Sequence, residues 1–199
     1  MAIKVFSNLL QAGARAGYMP NKTIESRKWF RDQAKSMSAS ATTVHSSGSV
    51  RTTKPAMGAM YLFQYGAKFK QRLPFWDRWP LCIPVKTASI SQVGTGFYGL
   101  NLHYLPLDIR AKFMDALYNL ITNKKYDQTT RFEATYTLLK SISSFRFFRP
   151  CFKHYLMSHV QGNFLYIDPK QWDMALFMPL ADWQKASEST VYTWSKEQY

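Results

Sequence analysis

The chain has 199 residues, 46% of them hydrophobic and 16% aromatic, enough for one ordinary domain with a true core plus an extension. It carries 26 Lys+Arg against 12 Asp+Glu, a formal net charge of +14, which points to an acidic or polyanionic partner. No apolar run approaches the roughly 20 residues that cross a bilayer, so no membrane partner is expected, and two cysteines among apolar neighbours, Cys82 and Cys151, read as buried free thiols, with no secreted disulfide scaffold required.

The first segment, MAIKVFSNLLQAGARAG, has the Lys4 and Arg15 of a targeting peptide, but its apolar run is too broken for a secretory signal. It reads as a short amphipathic helix with Val5, Leu9 and Leu10 on one face. Asn21 to Met37 reads as a second helix. Thr23 is its N-cap, Ile24, Trp29 and Phe30 form a narrow apolar stripe, and Lys28, Arg31 and Lys35 form a basic face. Ser38 to Pro55 is rich in Ser and Thr, with almost nothing apolar larger than valine. It buries too little to offset its ordering entropy, and a flexible or extended linker is expected unless a partner holds it. Met1 to Arg72 holds 12 basic residues and two acidic ones, Glu25 and Asp32, whereas Leu73 to Tyr199 holds 14 and 10. Residues 1–55 are therefore expected to be a basic helical arm and linker, and 56–199 a single compact domain. An arm of this kind attracts a polyanion, because neutralising phosphates releases condensed counterions.

Ala59 to Tyr65 alternates and is aromatic-rich, which predicts a strand. Pro74, Pro80 and Pro84 interrupt LPFWDRWPLCIPV, so an irregular segment is expected there, then a short strand at Leu81 to Val85. Asp77, between Trp76 and Arg78, suggests a structural ion pair. Phe97 to Leu105 predicts another strand. Leu107 to Ile121 places Ile109, Phe113, Ala116, Leu117 and Leu120 at helical spacing. NKKYDQ is a polar turn, followed by a helix opening on a capping-box spacing at Thr130 to Glu133, with a stripe of Phe132, Tyr136, Leu139 and Ile142. Pro150 at a first helical position predicts a third helix, PCFKHYLMSHV. Asp168 and Pro169 then open a short turn, and Ala175 to Leu180 is expected to be a strand. The fold class is α+β: a small antiparallel sheet packed against a cluster of three to four helices, with an extended basic N-terminal arm.

Gly94, Gly96 and Gly99 spell G-x-G-x-x-G, the dinucleotide-binding spacing. That motif needs a helix at its last glycines, and here LNLHYL alternates and runs into Pro106, so the glycines fit a hairpin pairing Ala88–Gln92 with Phe97–His103. Cys151, His154 and His159, with His103 from elsewhere, lack the paired spacing of a zinc site, so no metal is expected. The carboxylates are scattered and no nucleophile elbow is present, so neither catalysis nor a cofactor nor a small-molecule substrate is expected. Lys124, Lys125, Arg131, Arg146, Arg149 and Lys153 gather around the turns joining the last three predicted helices, where they would contact phosphates. Phe145, Phe147 and Phe148 would either stack on unpaired bases or fill the core where helices meet.

Several elements together carry a resemblance: WFR..AK on the basic helix, Met60-Tyr-x-Phe-x-Tyr65, LPFWDRWPL, GFYGLNLHYLP followed by MDAL, NKKYDQTTR and PCFKHYL.SHV. Over roughly residues 27 to 195 the chain resembles a family of small proteins of T4-like tailed bacteriophages, commonly labelled DNA end protector proteins. The resemblance implies a non-enzymatic virion protein, present in host cytoplasm during assembly. Such a protein binds the ends of the packaged genome, shields them from host exonuclease and helps complete the head. The expected contacts are Arg27, Lys28, Arg31 and Lys35 of the arm helix with Lys124, Lys125, Arg146 and Arg149 of the domain, and the expected partners are duplex DNA ends and other virion proteins. The alternative is an architectural protein of neck, tail or baseplate that binds other virion proteins through its arm.

Overall fold

A computed structural model describes residues 5–19, 23–36, 40–46, 50–90, 94–122, 124–125, 127, 133–135, 137–139, 141 and 146–198. Three helices open the chain. Helix α1, Val5–Arg15, buries Phe6 and Leu9. It ends at Gly17, whose φ of 79° permits a Schellman turn: Tyr18 N–H donates to the Gly13 carbonyl at 2.8 Å and Gly17 N–H to that of Ala14 at 3.1 Å. Helix α2, Ile24–Ser36, starts where Thr23 Oγ1 accepts from Ser26 N–H at 3.0 Å, as its N-cap requires. Its buried side is Ser26, Phe30 and Ala34, whereas Ile24 is 72% exposed and leaves the expected stripe. Residues 24 and 30 lie about 600° apart on a helix, two-thirds of a turn out of phase, so one stripe does not hold both.

The Ser/Thr-rich stretch is not extended throughout. Ala41–Ser46 forms helix α3, capped by Ser40, whose Oγ accepts from Thr43 N–H at 3.2 Å. Val44 is fully buried, and His45 packs on Trp79 with ring centroids 5.2 Å apart. One valine and one histidine ring thus supply the anchorage that composition alone did not suggest. Phe6, Leu9, Phe30, Ala34, Ala41 and Val44 all belong to the same buried cluster as the sheet residues Leu62, Leu81 and Leu165. In its described residues the N-terminal segment is packed on the domain and does not extend from it.

The rest is α+β. Strands β1 (Arg51–Thr52), β2 (Met60–Tyr65), β4 (Leu81–Ile90), β5 (Gly94–Asn101), β6 (Phe152–Leu156) and β7 (Val160–Ile167) form one antiparallel sheet in the order β1-β7-β2-β4-β5-β6. Strands β3 (Trp76–Asp77) and β8 (Trp183–Gln184) pair separately. Helix α4, Leu107–Thr122, follows β5 as expected. Helical residues recur at 133–135, 137–139 and 141, where the capping-box helix was predicted. Helices α5 (Trp172–Phe177) and α6 (Glu188–Glu197) complete the fold.

The sheet curls. Phe97 on β5 and Phe164 on β7 are three strands apart in sheet order, which in a flat sheet is about 14 Å. Their ring centroids lie 5.9 Å apart. Met157–His159, one turn of 3-10 helix, is all that joins β6 at one end of the sheet to β7 near the other. The concave interior is an aromatic cluster of Tyr61, Phe63, Tyr65, Phe97, Tyr155 and Phe164 with Cys82. The opposite face, through Met60, Leu62, Leu81, Ile83, Leu100 and Ile167, packs against the helices.

The glycines of the G-x-G-x-x-G spacing serve this curl. β4 and β5 form the expected hairpin, but Gly94, Gly96 and Gly99 stand within β5 and do not make its turn: Ile90 lies opposite Gly94 and Ala88 opposite Gly96. A Cβ on Gly96 would stand 2.0 Å from the Tyr155 carbonyl oxygen, and one on Gly99 2.3 Å from Cys82 Sγ. Backbone and side chains approach there too closely for any other residue.

Four expectations are corrected. The strand at Leu81 does not stop at Val85. It runs to Ile90, and Pro84 is accommodated by a register shift between Pro84 and Lys86, while its carbonyl accepts from Gly58 N–H at 2.8 Å. The segment from Pro150 is not a helix. Arg146–Cys151 is 3-10, Phe152–Leu156 is a strand and Met157–His159 is again 3-10, because Phe152 and Lys153 pair with Leu100 and Gly99 and close the curl. Ala175 to Leu180 is not a strand: Trp172–Phe177 is a helix with every residue buried. The predicted strand to Leu105 ends at Asn101, where the Asn101 side chain accepts from His103 N–H and starts a 3-10 turn.

Candidate nucleic-acid interface

The basic residues of α2 do not all face solvent. Arg27 is ion-paired with Asp115 of α4 and is three-quarters buried. Lys28 is exposed and Arg31 half-buried. Lys124, Lys125 and Arg149 are exposed. The side chains of Lys35 and Arg146, and all of Arg131, lie outside the described residues. Phe148, beside Arg149, packs on Phe113 of α4 with centroids 5.3 Å apart. Residues 113 and 115 of a helix point about 200° apart. Arg27 and Phe148 therefore meet α4 on nearly opposite sides, so that helix stands between Arg27 of the arm set and Phe148, the neighbour of Arg149. Lys153 leaves the cluster altogether, since its segment is a strand.

That strand places Lys153 in a cleft of about 280 Å³. The ammonium sits over the ring of Tyr104 at 4.1 Å and that of Trp194 on α6 at 5.7 Å. It has no carboxylate partner among the described residues. Burial holds its pKa down to about 8, against the small upward pull of the nearby Cys151, whose own thiol is pushed up to about 12 by burial. Phe75, Tyr104 and Trp183 support the inner wall through edge-to-face and tilted contacts of 4.7–6.0 Å. On the outer side stands the loop after β2. Its Lys68, Phe69, Lys70 and Arg72 are exposed.

The loop is fixed at both ends. Gly66 N–H donates to the His159 carbonyl at 3.0 Å, and the His159 ring bonds the Gly66 carbonyl at 2.8 Å. Lys185 Nζ donates to the carbonyls of Lys70, Gln71 and Leu73 at 2.6, 3.3 and 3.3 Å. Lys185 has a left-handed φ of 69°, which a non-glycine residue holds at a cost, and these three bonds offset it.

Beneath the cleft Asp77 is fully buried. Its carboxylate accepts from Trp79 N–H, Asp182 N–H, the Asn101 amide and His103 Nδ1 at 3.0, 3.2, 3.1 and 2.7 Å. Burial pushes its pKa up, but the His103 ring and these donors outweigh burial and hold it below the ordinary carboxylate value. The partner of Asp77 is thus His103, and its sequence neighbour Arg78 pairs instead with Asp182 at 2.6 Å. Adjacent side chains of an extended segment point to opposite sides, which separates the two.

The family model described as phage T4 terminal DNA protecting protein matches residues 3–197. The chain belongs to that family. No curated protein and no solved structure matches it. This terminal DNA protecting family member therefore carries two basic features: the exposed cations around α2 and α4, and the cleft at Lys153. Sequence reading missed the second. Part of its signal was visible in Lys68-Phe69-Lys70-Gln71-Arg72, an aromatic residue interleaved with cations. Cys151, His154 and His159 are not on one helix face, and among the described residues no three potential metal ligands gather. Among the same residues no helix is long and apolar enough to cross a membrane.

Proposed function

We propose that this protein binds the ends of a packaged phage genome through phosphate contacts, shields them from exonuclease without catalysing any reaction, and helps complete the head. The family match across nearly the whole chain carries this reading. The net charge of +14 supports it, because a surface of this sign neutralises phosphates and releases counterions. Lys28, Arg31, Lys124, Lys125 and Arg149 are the proposed backbone contacts, with Lys35 and Arg146; Arg27 orders α2 against α4 through Asp115. The architectural alternative leans on a free arm, and the burial of α1 to α3 in the main core cluster weakens that argument.

The test is exonuclease digestion of linear duplex DNA with purified protein, beside binding titrations at several salt concentrations. Protection that begins at the ends, and affinity falling by about 0.9 log units per log of salt for each phosphate neutralised, is the expected result. Salt-insensitive binding, or none, refutes it.

A further inference from the structure

A protein that distinguishes a DNA end from the interior needs a site that interior nucleotides cannot enter. The exposed cations around α2 and α4 do not supply one, since phosphates are the same along the whole duplex. The cleft at β6 has the required properties. Its volume of about 280 Å³ is at the lower limit of small-ligand pockets, about 300–1,000 Å³, so it holds a single nucleotide and no length of duplex. Phe69, 49% exposed, and Trp76 are aromatic side chains on its lining. Lys153 lies within it, and Lys68, Lys70 and Arg72 are exposed on the adjoining loop.

Resting on the DNA-end reading, we propose that this cleft takes the terminal nucleotide of a DNA end, its unpaired base stacked against Phe69 and Trp76 and its phosphate held by Lys153. A base leaves the stack most cheaply where it is already unpaired, and that condition is met at an end and not within a duplex. Base–aromatic stacking tolerates any sequence, as protection of a genome terminus requires. Lys153 is a half-buried cation lacking an acid partner among the described residues, and a phosphate supplies the missing counter-charge. His154 Nε2, buried and without a hydrogen-bond partner, lies on the same wall. Asp77 on the cleft lining is turned to four donors of the protein itself, the His103 ring among them. An added peptide strand fits poorly: Leu156 N–H of the β6 edge already donates to the Tyr65 hydroxyl at 3.2 Å. The loop bearing Phe69 is pinned by Lys185, so the wall is formed before the ligand arrives.

The experiment uses full-length protein and three short DNAs: a linear duplex with a single-stranded overhang ending in a fluorescent adenine analogue, the same duplex closed by hairpins at both ends, and a circle. The native protein is expected to quench the terminal analogue and to prefer open ends. Phe69→Ala, at an exposed position, and Lys153→Gln are expected each to lose about tenfold in affinity for the open end, together with the quench, while binding to the hairpin-closed duplex is unchanged. Both variants are checked for native circular dichroism, and Phe69→Ala carries the test if Lys153→Gln misfolds. End preference and protection retained by the variants, or an unquenched analogue bound by the native protein, overturns the cleft proposal while leaving end protection standing. Absence of any DNA binding by the native protein overturns both. Capture of an acidic peptide in the cleft, in place of the overhang, also overturns it.

Discussion

Phe97 and Phe164 are in contact, with ring centroids 5.9 Å apart, although β2 and β4 separate their strands in the sheet. This contact defines the curl, and both rings are almost wholly buried. Phe97→Ala removes a ring that also meets Phe63 and Tyr155. It is expected to cost about 3–5 kcal/mol in urea unfolding, with the loss read from the midpoint. A loss under about 1 kcal/mol would mean that the interior is loosely packed.

Gly96 makes a second, stricter prediction. Its missing side chain admits the Tyr155 carbonyl, and that obstacle is backbone, which cannot rotate away. Gly96→Ala is expected to destabilise by about 2 kcal/mol or more, through separation of β5 and β6. Amide exchange at β6 would report it, rising before global unfolding.

Asp77 predicts acid sensitivity. Its carboxyl in the folded protein titrates below the ordinary value, so the unfolded chain takes up the proton first as pH falls. The stability it supplies is complete above the ordinary carboxylate pKa of about 4 and is lost as pH falls through the lower folded value. Asp77→Asn is expected to flatten the stability profile in that window. The same slope in the variant and the native protein would exclude Asp77 as its source.

Lys153 predicts the opposite trend at high pH. Its folded pKa is about 8 against an ordinary 10.5, so between these values the unfolded chain holds a proton that the folded chain has released. Stability from this group therefore rises with pH across that window. Lys153→Met is expected to remove the rise and to stabilise the free protein at neutral pH by on the order of 2 kcal/mol, as desolvation of the ammonium disappears. The groups facing Lys153 are Tyr104, Trp194 and the Cys151 thiol, none of them an acid at neutral pH. Thermal unfolding at neutral and alkaline pH would check both parts.

The helices readable in the sequence were those with one buried face: α1, α2 and α4 showed helical spacing. β2 is buried on both faces, Met60 and Leu62 outward to the helices, Tyr61 and Phe63 inward, and was readable from its aromatic-rich composition. Where a helix is covered on every side, periodicity fails. α5 is buried at every position from Trp172 to Phe177, and an apolar run of that length reads equally as a strand. In β6, Phe152, Tyr155 and Leu156 have a helical spacing by coincidence, and Pro150 matches a helix start. The cleft was illegible for another reason. Lys153, Phe69, Tyr104 and Trp194 come from four distant segments, and only closure of the sheet brings them together.

Curling also has a consequence for how these molecules meet one another. An open antiparallel sheet offers unpaired backbone at its margins, a template on which further copies can stack into cross-strand polymers. Here one margin is β1, two residues long and bearing an exposed Arg51, and at the other a tyrosine hydroxyl already receives the Leu156 amide. Both margins are blunted, by brevity and charge at one and by a side chain at the other. The sheet therefore offers little free backbone on which a second copy could add a strand.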